Sequence, residues 1–479
     1  MRYKQIIYIL GWVLKFQSAF LAIPGITGLI YREYNGALCF FVTALACLFI
    51  GLLLSARKPG DKSLFAREGF AIVTFAWLLM GLTGAIPMHI VGKTPSYIDA
   101  LFETVSGFTT TGATIFPSVE ELPRCILMWR SFTHWIGGMG VLVFIMAILP
   151  LAGGYNMNIM KAESPGPSVG KLVPHVRKTA ELLYIMYIVL TALQLIMLLI
   201  GKMPLFDAIN IAFATAGTGG FGIVNDSVAS YSTYIQIVIT VSMVLFGVNF
   251  SVYYLIIAKK FKDVFKLSEV PVYLLIFTGS SLLIGFNIMK LYTSLGTAMK
   301  HSFFQVASIM STTGFATTDF NHWPEFSRTM LTLLMFVGAC AGSTGGGMKV
   351  SRLMILFKTL HKELQMVIHP RSVKAVKFDS KLIPHEVLRA TNVYVVMYVL
   401  VFALSLLALS LNGHDFTTNF TAVTTTINNV GPGLNKIGPI YNFGFFSDFS
   451  KFVMIFDMLA GRLELLPILV LLAPGTWKS

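Results

Sequence analysis

The sequence predicts an all-α polytopic membrane protein, because apolar residues dominate it and lie in runs long enough to cross a bilayer. Hydrophobic residues make up 55% of the 479 residues, charged residues make up only 12%, and the mean hydropathy is +0.73. So few charges cannot cover the surface of a water-soluble protein of this size. The apolar runs reach about 20 residues, which is the length that a helix needs to cross the hydrocarbon core.

Ten transmembrane helices are predicted, and the first two form an N-terminal pair joined by a short polar turn. The N-terminal apolar stretch continues past Phe20 with no small-residue cleavage site, so we interpret it as a spanning helix and not as a signal peptide. An even number of spans leaves both termini on one side. The predicted spans are 5–30, 37–56, 68–92, 127–152, 180–201, 231–258, 270–292, 327–358, 387–412 and 448–473.

The net charge of +14 would suggest nucleic-acid binding in a soluble chain, but the basic residues cluster in alternate loops. The intervening loops carry few lysines or arginines and several acids. This alternation is typical of the positive-inside rule, so we expect the basic loops and both termini to be cytoplasmic. The basic groups are Arg57, Lys58, Lys62 and Arg67; Lys161, Lys171, Arg177 and Lys178; Lys259, Lys260, Lys262 and Lys266; and the stretch from Lys349 to Arg389.

Four Gly/Thr-rich segments follow spans 3, 5, 7 and 9, and they align on one glycine. An apolar residue precedes that glycine at the same offset each time, and the glycines recur at intervals of about 100 residues. The segments therefore predict four repeats of span, short re-entrant helix, extended segment and span. The predicted divisions are an N-terminal extension at 1–60 and pore repeats at 61–155, 156–262, 263–370 and 371–479.

Each predicted repeat crosses the membrane twice, so successive repeats have the same orientation and can surround one central pore. Irregular backbone at membrane depth must line a cavity or be buried in protein. Glycine permits conformations that turn successive carbonyls to one side, where they can replace the hydration shell of a cation. A single glycine would more often serve helix packing, but four at matched offsets favour a filter. The predicted ion ligands are Thr110, Thr111 and Gly112; Thr218, Gly219 and Gly220; Thr312, Thr313 and Gly314; and Asn429, Val430 and Gly431.

A second Gly-rich run, from Gly338 to Gly347, interrupts predicted span 8. Each glycine costs about 0.5–1 kcal/mol relative to alanine in a helix, so the run predicts a flexible intramembrane loop that gates permeation. A kinked, tightly packed helix is the alternative. The candidate gating residues are Gly338, Gly342, Ser343, Thr344, Gly345, Gly346 and Gly347.

Arg462 lies within predicted span 10, where an ionised group usually faces a cavity or a partner. Near a pore its guanidinium would repel a passing cation, so it is a candidate electrostatic barrier that acts with the gating loop. A structural ion pair with Asp457 or Glu464 is the alternative. Arg130, near the end of span 4, is interpreted as a side chain that snorkels toward the membrane surface.

The sequence contains no P-loop, dinucleotide fingerprint, zinc-protease motif or nucleophile elbow, so we do not expect an enzyme. Its four cysteines and its histidines, His134 among them, show no ligand spacing, and we interpret them as ordinary structural residues. The main rival class is a coupled secondary transporter, such as a proton- or sodium-coupled cation symporter. Such transporters are often built from inverted repeats, whereas these repeats are parallel.

These motifs together resemble the Trk/Ktr/HKT superfamily of potassium and sodium transporters, and the extra N-terminal pair resembles its TrkH-type membrane subunits. The resemblance covers nearly the whole chain. It rests on residues 106–113, 161–167, 219–221, 342–349 and 461–464.

The resemblance implies potassium-selective uptake across a bacterial inner membrane, with filter glycines at Gly112, Gly220, Gly314 and Gly431. It also implies a gating loop at 338–347, the barrier arginine Arg462, a homodimer and a cytosolic TrkA-like nucleotide-binding ring. Membrane lipids are expected around the chain, and nucleic acid is not an expected partner. Sodium carriers of the family often have serine at the first filter position, so Gly112 fits potassium. The second and fourth segments depart from Thr-Thr-Gly, so the ligand ring is expected to be asymmetric.

Overall fold

The computed structural model describes residues 1–59, 66–92, 94–140, 176–264, 266–370, 375–379 and 381–477. Within these residues the chain is almost entirely helical, and six helices are long and apolar enough to span a membrane. The predicted all-α polytopic fold is confirmed. The segment 161–167, the basic residues Lys62, Lys161 and Lys171, and the second half of predicted span 127–152 lie outside the described residues.

The N-terminal helices α1 (Tyr3–Ile30) and α2 (Tyr34–Leu54) form the expected antiparallel pair. They approach closely where Gly11 faces Gly51, since a β-carbon on either glycine would come within 2.9 Å of the other's carbonyl oxygen. Small residues at a helix crossing let apolar helices pack tightly in a bilayer. Both helices of the pair pack against the first repeat.

The remaining helices alternate between long and short. Four long apolar helices match predicted spans 3, 5, 7 and 9, and each leads into a short helix, here called a pore helix. In chain order the helices are α3 (Ala66–Gly92), α4 (Tyr97–Phe108), α5 (Arg124–Gly138), α6 (Val176–Ile200), α7 (Leu205–Ala216), α8 (Thr233–Gly247), α9 (Phe250–Ile257), α10 (Phe261–Val264), α11 (Glu269–Ile288), α12 (Leu295–Met310), α13 (Glu325–Met335), α14 (Val350–Ile368), α15 (His385–Ser410), α16 (Phe416–Ile427), α17 (Asp448–Arg462) and α18 (Leu466–Leu472).

The helices that follow the second, third and fourth pore helices are broken, although a break was predicted only in span 8. Between α8 and α9 the chain bends by 90°, and the Asn249 side chain accepts from the Ser251 N–H to start α9. Between α17 and α18, Glu464 and Leu465 have φ of 60° and 63°, which no regular helix allows. Residues 336–349 separate α13 from α14, so the Gly-rich loop is present where the sequence predicts it.

The four pore helices, α4, α7, α12 and α16, are arranged in a closed ring. Each packs against the long helix before it, and the helix after it packs against the next pore helix along the chain. The ring closes because α17, after the fourth pore helix, packs on the first one, α4. Three pore helices have side-chain N-caps, from Ser96, Ser294 and Asp415.

A small antiparallel hairpin, β1 (Lys377–Phe378) and β2 (Lys381–Leu382), lies between α14 and α15. It is therefore on the face of the molecule opposite to the one at which the pore helices begin. Lys358 of α14 donates to the Lys377 carbonyl at 2.9 Å, so the hairpin is joined to the end of the third repeat.

Candidate functional site

Each pore helix ends in the same hydrogen-bonding motif. The N–H groups of Thr111, Gly219, Thr313 and Val430 each reach back five residues to a helix carbonyl, at 2.8–2.9 Å. The residue before each of these N–H groups has a left-handed backbone, with φ between 54° and 58°, and donates to the carbonyl three residues earlier. This is a Schellman motif, with Thr110, Thr218, Thr312 and Asn429 at the position that glycine usually fills.

The four aligned glycines follow this motif and also have positive φ, from 77° to 97°. Two left-handed residues with one ordinary residue between them hold each segment extended across the end of its pore helix. A threonine or asparagine at positive φ is strained, because its side chain crowds the backbone there. All twelve predicted filter residues are therefore brought together at the C-terminal ends of the pore helices.

The four filter glycines also explain how closely the filter segments of neighbouring repeats approach one another. A β-carbon on Gly112 would clash with the carbonyl oxygen of Gly219, and one on Gly220 with the carbonyl oxygen of Thr313. A β-carbon on Gly314 would clash likewise with Val430, and one on Gly431 with Thr111. Each repeat thus places one backbone carbonyl against the glycine of the repeat before it. The glycine requirement is steric as well as conformational.

The two departures from Thr-Thr-Gly have structural causes. In repeats one and three, the middle threonines bond back to Thr109 at 2.8 Å and to Ser311 at 2.7 Å. At Gly219 the imidazole ring of His134 occupies the space where a side chain would lie. The Asn429 amide donates to the Thr111 hydroxyl of the neighbouring first repeat and to the Met458 carbonyl of its own repeat, both at 2.9 Å.

His134 is fully buried and lies in a helix, as expected, but it also connects repeats one and two, which the sequence analysis did not predict. Its Nδ1 lies 2.7 Å from the Gly107 carbonyl in the first pore helix. Its Nε2 accepts from the Phe221 N–H, one residue after the second filter glycine, at 3.2 Å. The pattern of bonds places the proton on Nδ1.

Arg130 does not snorkel, which corrects the prediction made for it. It forms a buried ion pair with Glu103 of the first pore helix, at 2.7 Å, with side-chain exposures of 2% and 0%. Arg130 also donates to the Gly222 carbonyl at 3.0 Å, and Glu103 accepts from the Ile115 N–H at 2.9 Å. The pair therefore braces the chain just beyond the filter glycines of repeats one and two.

A cavity lies on the side of the ring from which the chain leaves the filter. All four filter glycines line it, as do Arg130, Asn225, Ser227 and Asn442. Polar side chains and the backbone of the four glycines therefore both line this cavity.

The Gly-rich loop lies on the other side of the ring and touches the ends of two pore helices. The Gly346 N–H donates to the Thr312 hydroxyl at 2.6 Å. A β-carbon on Gly346 would lie 2.9 Å from the Asn428 carbonyl, and one on Gly345 would lie 3.0 Å from the Ser311 carbonyl. The loop is therefore packed directly beneath the filter segments of repeats three and four, and the kinked-helix alternative for residues 338–347 is wrong.

Arg462, at the end of α17, lies between this loop and the first repeat. Its guanidinium donates to the Thr344 carbonyl of the loop at 3.0 Å, to the Thr110 hydroxyl at 3.3 Å, and to the carbonyls of Gly137 and Gly138. The two acids suggested as partners are engaged elsewhere: Glu464 pairs with Arg352, and Asp457 accepts from Ser405. The alternative of a structural ion pair with either acid is therefore wrong.

Lys349 corrects one prediction, since the sequence analysis placed it at the start of a basic cytoplasmic stretch, whereas the structure buries it beneath the filter segments. It is 1% exposed, and its ammonium donates to the carbonyls of Gly345 and Gly346. The signal that could have identified its role is a lysine inside predicted span 327–358. Two cationic side chains, Lys349 and Arg462, thus bond to the loop beneath the ring.

A ring of four pore helices with glycine-rich ends, closed beneath by a loop, defines a multi-pass membrane transport protein with one central pathway for cations. The comparisons with known proteins agree. The family model for TrkH, described as a cation transport protein, matches residues 39–478, and the chain belongs to this family. The predicted resemblance is confirmed, and membership of a transport family agrees with the prediction that the chain is not an enzyme.

Relatives match along the full length. The Trk system potassium uptake protein TrkH of Salmonella typhimurium is 36% identical, with 100% of both chains covered. The TrkG protein of Escherichia coli, also named as a Trk system potassium uptake protein, is 33% identical over 99% of both chains. The crystal structure of the potassium transporter TrkH from Vibrio parahaemolyticus matches with a TM-score of 0.90, at 34% identity and 100% coverage of both chains.

Proposed function

We propose that this chain takes up potassium through the central ring and is the membrane subunit of a Trk-type potassium uptake system. The observation that carries the proposal is the closed contact of four glycines with four backbone carbonyls. A ring of carbonyls can replace the water around a cation without adding a charge. The names of the full-length relatives support potassium as the cation.

The proposed ligands are the backbone oxygens of the twelve filter residues, three from each repeat. Their supports differ between repeats, since His134 of repeat one bonds the chain after the second filter segment and Asn429 of repeat four bonds Thr111 of the first. We therefore expect the four sides of the site to contribute unequally to binding. The division into an N-terminal extension and four pore repeats at 61–155, 156–262, 263–370 and 371–479 is part of the same proposal.

In the proposed gate, the loop 338–347 blocks the path beneath the ring and Arg462 repels the cation there. The bonds from Arg462 to Thr344 and Thr110 support this proposal, because they place its charge between loop and filter. At the low effective dielectric of the membrane interior, a fixed charge raises the barrier for a like ion by several kcal/mol. Movement of the loop would have to carry Arg462 away or neutralise it.

The proposed orientation has both termini and the basic loops in the cytoplasm of a bacterial cell, with the cavity facing outward. The exposed residues Lys259, Lys260, Lys262 and Lys266, with the lysines of the hairpin, would dock a TrkA-like nucleotide-binding ring. The assembly would be a homodimer. Anionic lipid headgroups are the alternative occupants of the same basic surface.

The test is potassium and sodium flux in liposomes that contain the purified protein. We expect downhill potassium flux that exceeds sodium flux at least about tenfold, a difference of about 1.4 kcal/mol in barrier height. Equal flux of the two ions would contradict the proposal. Flux that appears only with an imposed proton or sodium gradient would favour the symporter instead.

Docking is tested separately, by binding of the genomically neighbouring TrkA-like subunit to the parent and to a variant with the four lysines 259, 260, 262 and 266 changed to glutamine. We expect binding to weaken at least about tenfold in the variant. Equal binding by both would assign the basic surface to lipid.

A further inference from the structure

One buried carboxylate holds both ends of the gating loop. Glu269 is the first residue of α11 and is 5% exposed. Its Oε1 accepts from the Ala341 N–H at 2.8 Å and from the Ser351 N–H at 2.9 Å. Ala341 lies inside the loop, and Ser351 lies in the first turn of α14, directly after it. A single oxygen therefore joins the two positions that bracket residues 342–350.

These bonds are of a strong kind. Hydrogen bonds to a carboxylate are roughly twice as strong as those between neutral groups. The Ser351 N–H belongs to the first turn of a helix, where it has no partner within the helix and where the helix dipole favours a negative charge. Losing Glu269 would leave two buried N–H groups to find other partners, which the loop can provide only by changing its shape.

The residue before Glu269 is held by the hairpin. The N–H and the hydroxyl of Ser268 both donate to Oδ1 of Asp379, at 2.8 and 2.7 Å. Asp379 follows β1 in the turn of the hairpin and has φ of 48°, so the turn itself fixes the direction of its side chain. The hairpin is also bonded to α14 through Lys358 and the Lys377 carbonyl.

We infer that Ser268 and Glu269 form a linkage between the hairpin and the gate, in which displacement of Asp379 alters the anchoring of the loop. The two residues are adjacent at the start of one helix, so a pull on Ser268 moves the Glu269 carboxylate as well. Glu269 is in this sense a positioning residue for the gate. This inference rests on the proposed gating function of the loop.

The loop is held from three sides. Thr312 and Arg462 bond it from the filter side, and Glu269 bonds it from the side of the hairpin. The break between α8 and α9 bonds it as well, since the Cys340 N–H donates to the Gly247 carbonyl and the Phe250 N–H donates to the Gly342 carbonyl, both at 3.0 Å. Weakening the Glu269 anchor leaves the other contacts in place and loosens the loop at Ala341. A signal that arrives at the hairpin therefore reaches the loop without passing through the filter.

The first experiment is hydrogen–deuterium exchange of the intact protein over residues 338–349. Asp379→Ala and Glu269→Ala should each speed exchange there at least about threefold, because each releases the loop from its anchor. Glu269→Gln retains an acceptor oxygen but loses the charge, so its exchange should fall between those of the parent and Glu269→Ala. Glu386→Ala, which removes an exposed carboxylate from the first turn of the next helix, is the matched control and should leave exchange unchanged.

The second experiment is a double-mutant cycle in potassium flux. If the linkage exists, the effects of Asp379→Ala and Glu269→Ala combine non-additively, by a factor of about three or more, whereas Glu386→Ala and Glu269→Ala multiply independently. Unchanged loop exchange in Asp379→Ala, or independent effects on flux at equal thermal stability, would overturn the linkage. A parent protein without potassium flux would refute the proposed function, and the exchange experiment would still decide the linkage.

Discussion

The filter ring is regular, whereas the layer beneath it, formed by the breaks between α8 and α9, α13 and α14, and α17 and α18, is irregular. In the ring, four segments share one hydrogen-bonding motif, one pattern of backbone angles and one glycine contact. Beneath it, the described part of the chain shows a sharp bend at Asn249, a long loop between α13 and α14, and a strained break at Leu465, with no two alike. Because the four segments share one geometry and contact one another, a change in one segment disturbs the others.

The two layers also differ in how charge is used. The filter segments contain no ionised side chain, and apart from the bond from Arg462 to the Thr110 hydroxyl, their bonds in the described residues run between backbone and neutral groups. The layer beneath is joined by single charged groups, each bonded to backbone carbonyls, N–H groups or one partner: Glu269, Lys349, Arg352 with Glu464, and Arg462. Losing one such group releases only the bonds of that group, so this layer can change shape while the ring remains intact.

The largest expected effect concerns the brace of the ring. Changing Arg130 to Ala leaves Glu103 buried without its cation, and breaking a buried ion pair costs about 3–5 kcal/mol. We expect a lower unfolding temperature together with loss of potassium selection, because the Gly222 carbonyl loses its donor and Glu103, which accepts from the Ile115 N–H, loses its cation. Thermal unfolding of the purified protein and liposome flux are the two measurements.

The exposed pair of Arg328 and Glu325 is the control for this variant. Glu325 is 83% exposed, and such pairs contribute about 0–1 kcal/mol. Glu325→Ala should therefore leave the unfolding temperature and potassium selection nearly unchanged. If Arg130→Ala were equally silent, the ring would not depend on this brace.

The second prediction breaks the ring at its glycines. Gly112→Ser or Gly314→Ser would place a β-carbon against a backbone carbonyl of the next repeat. Overpacking of this kind costs about 1–3 kcal/mol, so we expect potassium selection over sodium to fall by about ten- to a hundredfold. The permeability ratio in liposomes is the measurement.

Gly279 supplies a matched control, since no atom lies within 4 Å of a β-carbon placed on it. Gly279→Ser should therefore keep the parent ratio. Selection that survives both filter substitutions would show that the ring tolerates side chains and that the carbonyl contacts do not decide selectivity.

The difference between the layers explains how much of the molecule could be predicted. The aligned glycines and the Gly-rich run were visible because glycine leaves a pattern that repeats or interrupts a span. The roles of His134 and Arg130 were not visible, since both depend on contacts between repeats that are distant in sequence. The break at Leu465 was missed for a local reason: leucine favours helices, and only tertiary packing can hold it at positive φ.

The third prediction concerns the layer beneath the ring. Arg462→Ala removes the charge that bonds the loop at Thr344, so basal potassium flux should rise about tenfold, or about 1.4 kcal/mol, while selection is kept. Removing part of the loop 338–347 should act in the same direction. Tracer flux at matched protein amounts measures the change.

Arg462→Lys is the informative comparison, because it keeps the charge and loses the planar fork that reaches several carbonyls at once. Flux between those of the parent and Arg462→Ala would show that both charge and geometry contribute. Flux unchanged in Arg462→Ala and in the loop deletion alike would contradict the gate.

The smallest expected effect tests the asymmetry within the ring. The Asn429 amide makes two bonds that repeats one and three do not make, to the Thr111 hydroxyl and the Met458 carbonyl. Each such bond contributes about 0.5–1.5 kcal/mol, so Asn429→Ala should lower potassium selection by a few-fold and leave folding nearly unchanged. Asn435→Ala removes an exposed amide that bonds Asp415 outside the filter and should leave selection unchanged.

Because Asn429 supports the first repeat from the fourth, the loss of selection in Asn429→Ala should be non-additive with Thr111→Ala and additive with Thr313→Ala. Equal behaviour with both threonines would mean that the ring responds as one unit and that its asymmetry has no energetic consequence.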